Sequence, residues 1–223
     1  MTIQTMSGGV RLLSRESANS LVGILLKSYD AHYYLDFKTP IDLMVAAILS
    51  AQTKDETVNA LTPKLFAKYK TAEDYAGAKP SELEGYVKSV SFAGNKAGNV
   101  IKACREIMRK YGGNVPDRMD LLVGLPGIGR KTANTILINA YGKAEGIPVD
   151  TWVIKLSPRL GLSSNTNPDK IERDLMALIE KKYWAKVAYA LKSHGKQVCK
   201  TVPACSACMV NKICPRNGVE KST

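Results

Sequence analysis

The chain has 223 residues, enough for one or two domains with their own cores, and its apolar content of 45% is ordinary for a folded globular protein. Its 32 basic residues outnumber 20 acidic ones and give a formal net charge of +12, which favours a polyanionic partner such as nucleic acid. No apolar stretch is long enough for a bilayer, and Met1–Thr5 has no signal-peptide character, so we expect a cytoplasmic protein that is neither secreted nor membrane-bound.

The first third of the chain is predicted to be helical, because its apolar residues recur at helical spacing and no segment alternates with period two. An apolar stripe predicts a first helix at about 14–35. Thr39-Pro40 is typical of a helix start and opens a second helix that runs through Leu49. The run Thr53–Glu56 fits a capping box that would start a third helix. The first thirteen residues and the last nine are predicted to be loose ends.

The middle of the chain continues the helical pattern. Short helices are predicted near 72–75 and 80–90, and a long one at 95–111, which Gly112-Gly113 would end. Cys104 lies on the apolar face of that long helix, where a small core residue is expected.

The rest of the chain is also predicted to be helical. Helices at 117–125 and 130–140 form a pair joined by a glycine-rich turn. Further helices are expected at 150–160, 168–179 and 183–194, the second of them opened by Asn167-Pro168. A cysteine-rich loop follows. The predicted fold class is all-α.

The turn between the paired helices has the features of a phosphate-binding site. Residues 125–134 read LPGIGRKTAN, so Gly127 and Gly129 would permit positive φ angles and a close approach of the backbone to a phosphate. A helix that starts here points its first N–H groups at an anion. The first turn adds further donors and charge, from Arg130, Lys131 and Thr132. Such contacts position DNA without reading its sequence.

Lys131 and Asp150 are the candidate catalytic pair. Lys131 stands in the first turn of a helix beside Arg130, where the helix dipole and the neighbouring cation should lower its pKa below about 10.4 and favour a nucleophilic neutral amine. Asp150 precedes a helical start, so it is expected to be an N-cap. A capping carboxylate is held in place and can stabilise a cationic sugar centre or take up a proton.

Four cysteines near the end of the chain are predicted to hold a metal centre. Cys199, Cys205, Cys208 and Cys214 are separated by five, two and five residues. Four thiolates this close suit one tetrahedral or cubane centre. Structural zinc is the alternative, but zinc sites usually come as two close pairs, and only Cys205 and Cys208 are a close pair here.

In these motifs the chain resembles the endonuclease III family, the helix–hairpin–helix DNA glycosylases of base excision repair. The resemblance runs from about Thr39 to Cys214, and its most specific segments are Leu125–Asn134, Val149–Thr151 and Leu49–Asp55. It implies that Lys131 is a Schiff-base nucleophile with Asp150 as its acidic partner.

The resemblance also implies a 4Fe–4S cluster on the four cysteines. It implies that Gln52 enters the duplex where the damaged base leaves, and that the stretch 91–96 contacts the opposite strand. This chain departs from the family pattern at two places. Cys199 and Cys205 enclose five residues where the family commonly has six, and Trp152 stands where it often has His.

The implied architecture is a six-helix barrel at residues 33–143, beside a cluster domain made of residues 1–32 and 144–223, with the active site in the cleft between them. The implied activity is that of a bifunctional DNA glycosylase and abasic-site lyase. It would act as a monomer on double-stranded DNA containing damaged bases or abasic sites, at the nucleoid. Two alternatives are a monofunctional mismatch-specific thymine or uracil glycosylase of the same fold, and a non-catalytic iron–sulfur protein that binds DNA.

Overall fold

The computed structural model of the protein describes residues 3–7, by their backbone alone, and residues 9–223. It is predominantly helical, as the sequence predicts. The chain divides into two compact units, one of Tyr34–Glu145 and one of the residues up to Tyr33 together with Gly146–Thr223. Within the described part of the chain, no helix combines the length and the apolar character that a membrane span needs.

The helices in chain order are α1 (Arg15–Ser28), α2 (Pro40–Leu49), α3 (Asp55–Lys68), α4 (Ala72–Ala76), α5 (Pro80–Val87), α6 (Ala93–Tyr111), α7 (Met119–Leu122), α8 (Arg130–Tyr141), α9 (Thr151–Arg159), α10 (Pro168–Leu178) and α11 (Trp184–Gln197). A short 3-10 helix at Lys181–Tyr183 precedes α11, and strands β1 (Ile3–Ser7) and β2 (Val10–Leu13) precede α1.

The Tyr34–Glu145 unit contains α2 to α8 and is built around α2. Every residue of α2 from Ile41 to Leu49 is buried, as expected of a helix that is apolar on all sides. Thr39 caps its start through a reciprocal capping box with Asp42, and Pro40 fills the first helical position. The long helix α6 ends at Gly112, whose φ of 58° is the left-handed conformation that a glycine C-cap provides.

The other unit is a helical cluster made of α1, α9, α10 and α11. Apolar side chains from all four helices form one core, and its fully buried members include Leu21, Leu25, Val153, Leu175 and Leu191. Asn167 caps α10 by accepting hydrogen bonds from the N–H groups of Asp169 and Lys170. The sequence predicted this helix start, because Asn167 is a typical cap and proline is favoured at the first helical position.

The prediction that both chain ends are loose was wrong for the residues that the structure describes, whereas Met1, Thr2 and Gly8 lie outside them. Strands β1 and β2 pair as an antiparallel hairpin, and Leu13 N–H donates to the carbonyl of Gly161 at 2.9 Å. The last nine residues are also tied to the fold, since Asn217 exchanges hydrogen bonds with the backbone of Arg11 and donates to the carbonyl of Pro158. The bonds between Arg11 and Asn217 join residues 206 positions apart, and local sequence patterns do not reveal such contacts.

Three predicted helices are shorter than expected, and one of them, α5, ends at Val87 rather than near residue 90. Helix α1 ends at Ser28 rather than near residue 35, because Tyr29 takes an extended backbone and its ring packs against His194. Helix α7 is a single turn, Met119–Leu122, instead of 117–125. The proline at position 126 has no N–H to donate and disfavours a helical backbone at Leu125.

Candidate active site and candidate metal centre

Of the two glycines that the sequence analysis singled out in the turn between α7 and α8, only Gly127 is required to be glycine. Gly127 has a φ of 79°, and a Cβ atom there would lie 3.0 Å from the Cβ of Asn99. Gly129 instead has a φ of −94° and is the N-cap of α8, so the prediction of a positive φ there was wrong. Ile128, between them, is buried and anchors the turn, while both glycines are exposed. The backbone therefore faces solvent where an anion would approach.

Lys131 and Thr132 lie in the first turn of α8, half-buried, and Arg130 is exposed in the same turn. The N–H groups of a helix's first turn have no partner within the helix, so they and the positive end of the helix dipole favour an anion here. The backbone carbonyl of Lys131 accepts the hydroxyl of Thr135 at 3.0 Å. This first turn gathers donors and positive charge next to the exposed glycines.

Asp150 is the N-cap of α9. Its Oδ1 atom accepts the N–H groups of Trp152 and Val153, each at 2.9 Å. Since both bonds end on Oδ1, Oδ2 takes no part in the cap. The carboxylate is half-buried, and the two bonds to Oδ1 orient it. Asp150 belongs to the unit with the chain ends, whereas Lys131 belongs to the Tyr34–Glu145 unit.

Trp152, which takes the place of the family's usual histidine, packs within its own unit. Its indole contacts Gly195 of α11, where a Cβ atom would lie 2.2 Å from the ring carbon Cε3. The ammonium of Lys155 stands 5.3 Å from the centre of the indole ring, a cation–π distance. The first turn of α9, which Asp150 caps, is therefore packed against α11.

Gln52 lies in the short loop after α2 and is exposed. Its φ of 53° places it in the left-handed region, which residues other than glycine seldom adopt. Phe92, at the start of α6, has a φ of 58° and is 65% exposed. The two residues are linked, because Ser91 Oγ donates to the carbonyl of Gln52 at 2.9 Å.

The prediction of a capping box at Thr53–Glu56 was wrong, although α3 does start there. The N-cap is Lys54, whose side chain makes no capping bond. The Thr53 hydroxyl instead accepts the Ser91 N–H at 3.2 Å and the Lys96 ammonium at 2.9 Å. Lys96 itself is buried, at 6% exposure, rather than part of an outward-facing stretch.

The sequence analysis placed Lys96 in the stretch 91–96 that was expected to contact DNA, and it did not predict that this lysine is buried. One signal was available, since Lys96 lies one helical turn before Val100 on the stripe that buries Ala97, Val100 and Ile101. A lysine in an apolar stripe is expected to have a specific acceptor set, because burying a charge without partners is costly.

The four cysteines line a single pocket. It holds about 320 Å³ of empty space, part of it open to solvent, and its wall also includes Arg159, Leu160, His194 and Pro203. Cys199 is buried and the other three thiols are half-buried. Burial raises the pKa of Cys214 to about 11 and also raises that of Cys208, and neighbouring thiolates add to both shifts. Thiolates gathered here need positive charge to stay ionised.

This donor set fits a metal–sulfur centre. Four soft thiolate ligands converge on one pocket, and Arg159 Nη1 lies 3.6 Å from Cys199 Sγ. Among the described residues, no three cysteine, histidine or acidic side chains are close enough to hold one metal ion. The fit therefore rests on the shared pocket and the thiol chemistry.

One histidine borders the cysteines. His194 Nε2 lies 3.9 Å from Cys208 Sγ, and Nδ1 lies 3.0 Å from the hydroxyl of Tyr29. Burial lowers the pKa of His194 to about 4 and raises that of Tyr29 to about 12, so both groups are neutral near pH 7. His194 also accepts the N–H of Cys199 on its backbone carbonyl, at 2.8 Å. No pattern in the sequence indicated that His194 lies beside the cysteines.

Comparisons with known proteins identify the family to which the chain is similar. A family model described as HhH-GPD superfamily base excision DNA repair protein matches residues 45–181. The Endonuclease III of Synechocystis sp. is 44% identical over 203 residues, which cover 90% of this chain and 93% of that protein. The Endonuclease III of Bacillus subtilis is 40% identical over 177 residues, covering 78% and 80%.

The fold of the chain is also similar to that of a solved structure. A trapped covalent intermediate of endonuclease III with DNA superposes with a TM-score of 0.87 at 36% sequence identity. The match covers 92% of this chain and 97% of the other. The likeness in fold thus extends over both units of the chain.

Proposed function

The chain belongs to the HhH-GPD superfamily of base excision DNA repair proteins and, within it, to the endonuclease III family, and from this premise we propose which residues and substrates its chemistry uses. It is a DNA glycosylase and abasic-site lyase. Its substrate is double-stranded DNA that contains an oxidised pyrimidine or an abasic site, and it acts on that DNA as a monomer at the nucleoid.

Lys131 is the nucleophile in this proposal. Its amine nitrogen bonds to C1′ of the damaged nucleotide, and the glycosidic bond breaks with its electron pair going to the departing base, which takes up a proton. The nitrogen then loses a proton, and its lone pair forms a C=N bond to C1′ as the C1′–O4′ bond breaks and O4′ takes up a proton. The resulting protonated imine acidifies the C2′ hydrogen. Loss of that proton expels the 3′ phosphate and cuts the strand by β-elimination. What supports this role is the position of Lys131 in the first turn after an exposed phosphate-binding hairpin.

Asp150 is its acidic partner. Its carboxylate stabilises positive charge that develops on the sugar as the base leaves, and it is a proton acceptor for the later steps. Support comes from its capping geometry, because two backbone hydrogen bonds on Oδ1 fix the group and Oδ2 lies outside the cap. A carboxylate held in this way loses little freedom when the transition state forms.

The hairpin and the Gln52 loop are the DNA-binding elements. Gly127 and Gly129 expose the backbone to one phosphate, to which Arg130 and Thr132 add donors. Gln52 fills the space that a flipped base vacates. A net charge of +12 supports a polyanionic partner and a binding free energy that weakens with salt.

The four cysteines would hold a 4Fe–4S cluster. When bound, the cluster supplies four metal–thiolate links that close the loop from Cys199 to Cys214. Val202 and Met209 of that loop are exposed whereas Val210 is buried, so the links would add to a limited local packing. The backbone carbonyl of His194 accepts the Cys199 N–H, and Arg159 donates to the carbonyl of Lys200 at 2.8 Å, so the loop is joined to α11 and α9.

The observation that carries this proposal is the exposed hairpin whose following turn bears Lys131, in a chain that also fixes Asp150 as a helix cap. The test is a panel of duplexes with one lesion each, scored separately for base release and for strand cutting. Release and cutting on oxidised pyrimidines support the proposal. Base release without cutting would make the enzyme a monofunctional glycosylase, and binding without either would make it a non-catalytic DNA-binding protein.

A further inference from the structure

The buried lysine of α6 connects the two strained residues of the Tyr34–Glu145 unit. The ammonium of Lys96 donates to the carbonyl of Leu49 at 2.7 Å, to that of Ala51 at 2.5 Å and to the hydroxyl of Thr53 at 2.9 Å. A lysine ammonium has three donors, and all three are used here. The acceptors bracket Gln52 on both sides along the chain.

The surroundings of Lys96 offset the cost of burying its positive charge. Leu49 is the last residue of α2, so the ammonium lies at the negative end of that helix's dipole, where a cation is stabilised. Burial by itself lowers the pKa of Lys96. The three oxygen acceptors and the dipole offset that cost for the protonated form.

Ser91 joins the same network from the other side. Its N–H donates to the Thr53 hydroxyl at 3.2 Å, and its own hydroxyl donates to the Gln52 carbonyl at 2.9 Å. Ser91 directly precedes Phe92, which starts α6. The backbones of Gln52 and Phe92, both left-handed, are therefore held by one hydrogen-bond network that has Lys96 at its buried end.

Left-handed backbones at residues other than glycine cost free energy and persist only where surrounding contacts fix them. Both residues here are exposed, so their own side chains do not provide that fixation. We propose that Lys96 is a positioning residue for lesion recognition, which holds Gln52 and Phe92 in place as one preformed unit before DNA binds. The inference rests on the proposed function, in which Gln52 occupies the space of the flipped base.

A preformed pair has a defined consequence for recognition. A side chain that is already oriented pays no ordering cost when it enters the duplex, so more of its interaction energy appears as preference for the lesion. If the loop is released, Gln52 must be ordered during binding. The preference for lesion over intact duplex then falls, whereas phosphate contacts made by the hairpin are retained.

The test compares Lys96→Met with Lys102→Met. Methionine has a similar length but no donor, and Lys102 is an exposed lysine of the same helix, so the control removes the same charge. We expect Lys96→Met to lose about tenfold in the ratio of affinities for lesion and intact duplex. It should also speed hydrogen exchange of the amides at 51–53 and 91–92, with neither effect in the control.

A double-mutant cycle separates positioning from general loss of stability. Because Lys96 acts through Gln52, adding Lys96→Met to Gln52→Ala should reduce the affinity ratio no further. Should Lys96→Met fail to fold, Ser91→Ala removes the bond to the Gln52 carbonyl while the three acceptors of the Lys96 ammonium remain, and it should lower the ratio in the same way.

The inference would be overturned if the losses of affinity ratio caused by Lys96→Met and Gln52→Ala multiply in the double variant, or if Lys96→Met leaves amide exchange at 51–53 unchanged. The proposed function would remain intact in either case. A wild-type protein with no preference for any lesion duplex overturns both. The amide-exchange measurement is made without DNA, so the two failures are distinguishable.

Discussion

Gly195 leaves the space that the indole of Trp152 occupies, since a methyl group at position 195 would lie 2.2 Å from the indole carbon Cε3 and 2.7 Å from Cζ3. Trp152 is in the first turn of α9, and its N–H donates to Asp150. Gly195 follows His194, which borders the cysteine pocket. Helix α11 is thus in contact both with the helix that Asp150 caps and with the candidate metal centre.

Gly195→Ala should lower the free energy of unfolding by about 1–3 kcal/mol, because the methyl group forces the indole or the backbone to move. The measurement is thermal unfolding. Gly98→Ala is the matched control, since Gly98 is also helical but has no atom within 4 Å of the new Cβ, and this change should be neutral or stabilising. A Gly195→Ala protein as stable as wild type would show that the packing of Trp152 adapts freely.

Lys131→Gln should bind lesion DNA and yet neither release bases nor cut the strand, because glutamine keeps the polarity but has no nucleophilic amine. Borohydride reduction during turnover measures this directly, since the wild type should be trapped covalently on lesion DNA and the variant should not. Arg130→Gln, one residue earlier, should still be trapped while binding more weakly. Continued cross-linking by Lys131→Gln would assign the nucleophile to another residue.

Asp150→Asn should fold normally and lose about 10²-fold or more in turnover. Asparagine is as good an N-cap as aspartate, so the bonds to Trp152 and Val153 survive while the negative charge is removed. Affinity for DNA should hold or increase, because one charge that repels phosphates is gone. Unfolding curves and single-turnover rates measure the two effects. A rate close to that of wild type would leave Asp150 a purely structural cap.

Purified protein should be brown and contain about four irons and four acid-labile sulfides per chain. Cys205→Ser should reduce both contents and the folding yield more than it reduces any chemical step of the loaded fraction. Cys104→Ala is the control. Cys104 is fully buried in α6, and burial raises its pKa to about 12, so it should not affect loading. Stoichiometric zinc without sulfide, from cells grown with ample iron, would identify the centre as zinc.

Acid should remove the stabilising effect of Asp74. Its Oδ2 accepts the N–H groups of Lys70 and Thr71, and these bonds hold its pKa below the ordinary 3.8. A lowered carboxyl pKa stabilises the fold above the unfolded pKa, and the effect is lost as pH falls through the folded pKa. Asp74→Asn should therefore cost about 0.5–1 kcal/mol at pH 7, because the site is exposed, and less and less below about pH 4. A pH-independent difference in urea unfolding would contradict this account.

Helix starts were predictable where the capping residue acts locally. Thr39-Pro40, Asn167-Pro168 and Asp150 each place a short polar side chain within reach of the next N–H groups, so the sequence contains the whole interaction. Thr53 shows the limit of such patterns. Its hydroxyl bonds to Lys96 and Ser91, which lie about forty residues away, and its own helix begins without a side-chain cap.

The sequence was enough to predict the candidate catalytic and metal-binding residues, but not the residues that pack around them. Lys131, Asp150 and the cysteines follow from residue types at characteristic spacings. The residues that hold the site in place follow from tertiary contacts, as with Gly195 under Trp152 or Tyr29 beside His194. Gly129 illustrates the difference in the backbone. Two glycines look equivalent in sequence, yet only Gly127 needs a positive φ.

Three of the residues discussed above follow one another at the start of helix α6: Phe92 is its left-handed N-cap, Lys96 lies in its first turn, and Asn99 lies under the glycine turn. Residues four and three positions apart share a helix face, so the spacing between these contacts fixes their relative direction. One inserted residue between Lys96 and Asn99 would rotate the latter by about 100° around the helix axis. The number of residues between these positions is therefore constrained as well as their side chains, and chimeras with related enzymes should place their crossovers outside residues 92–99.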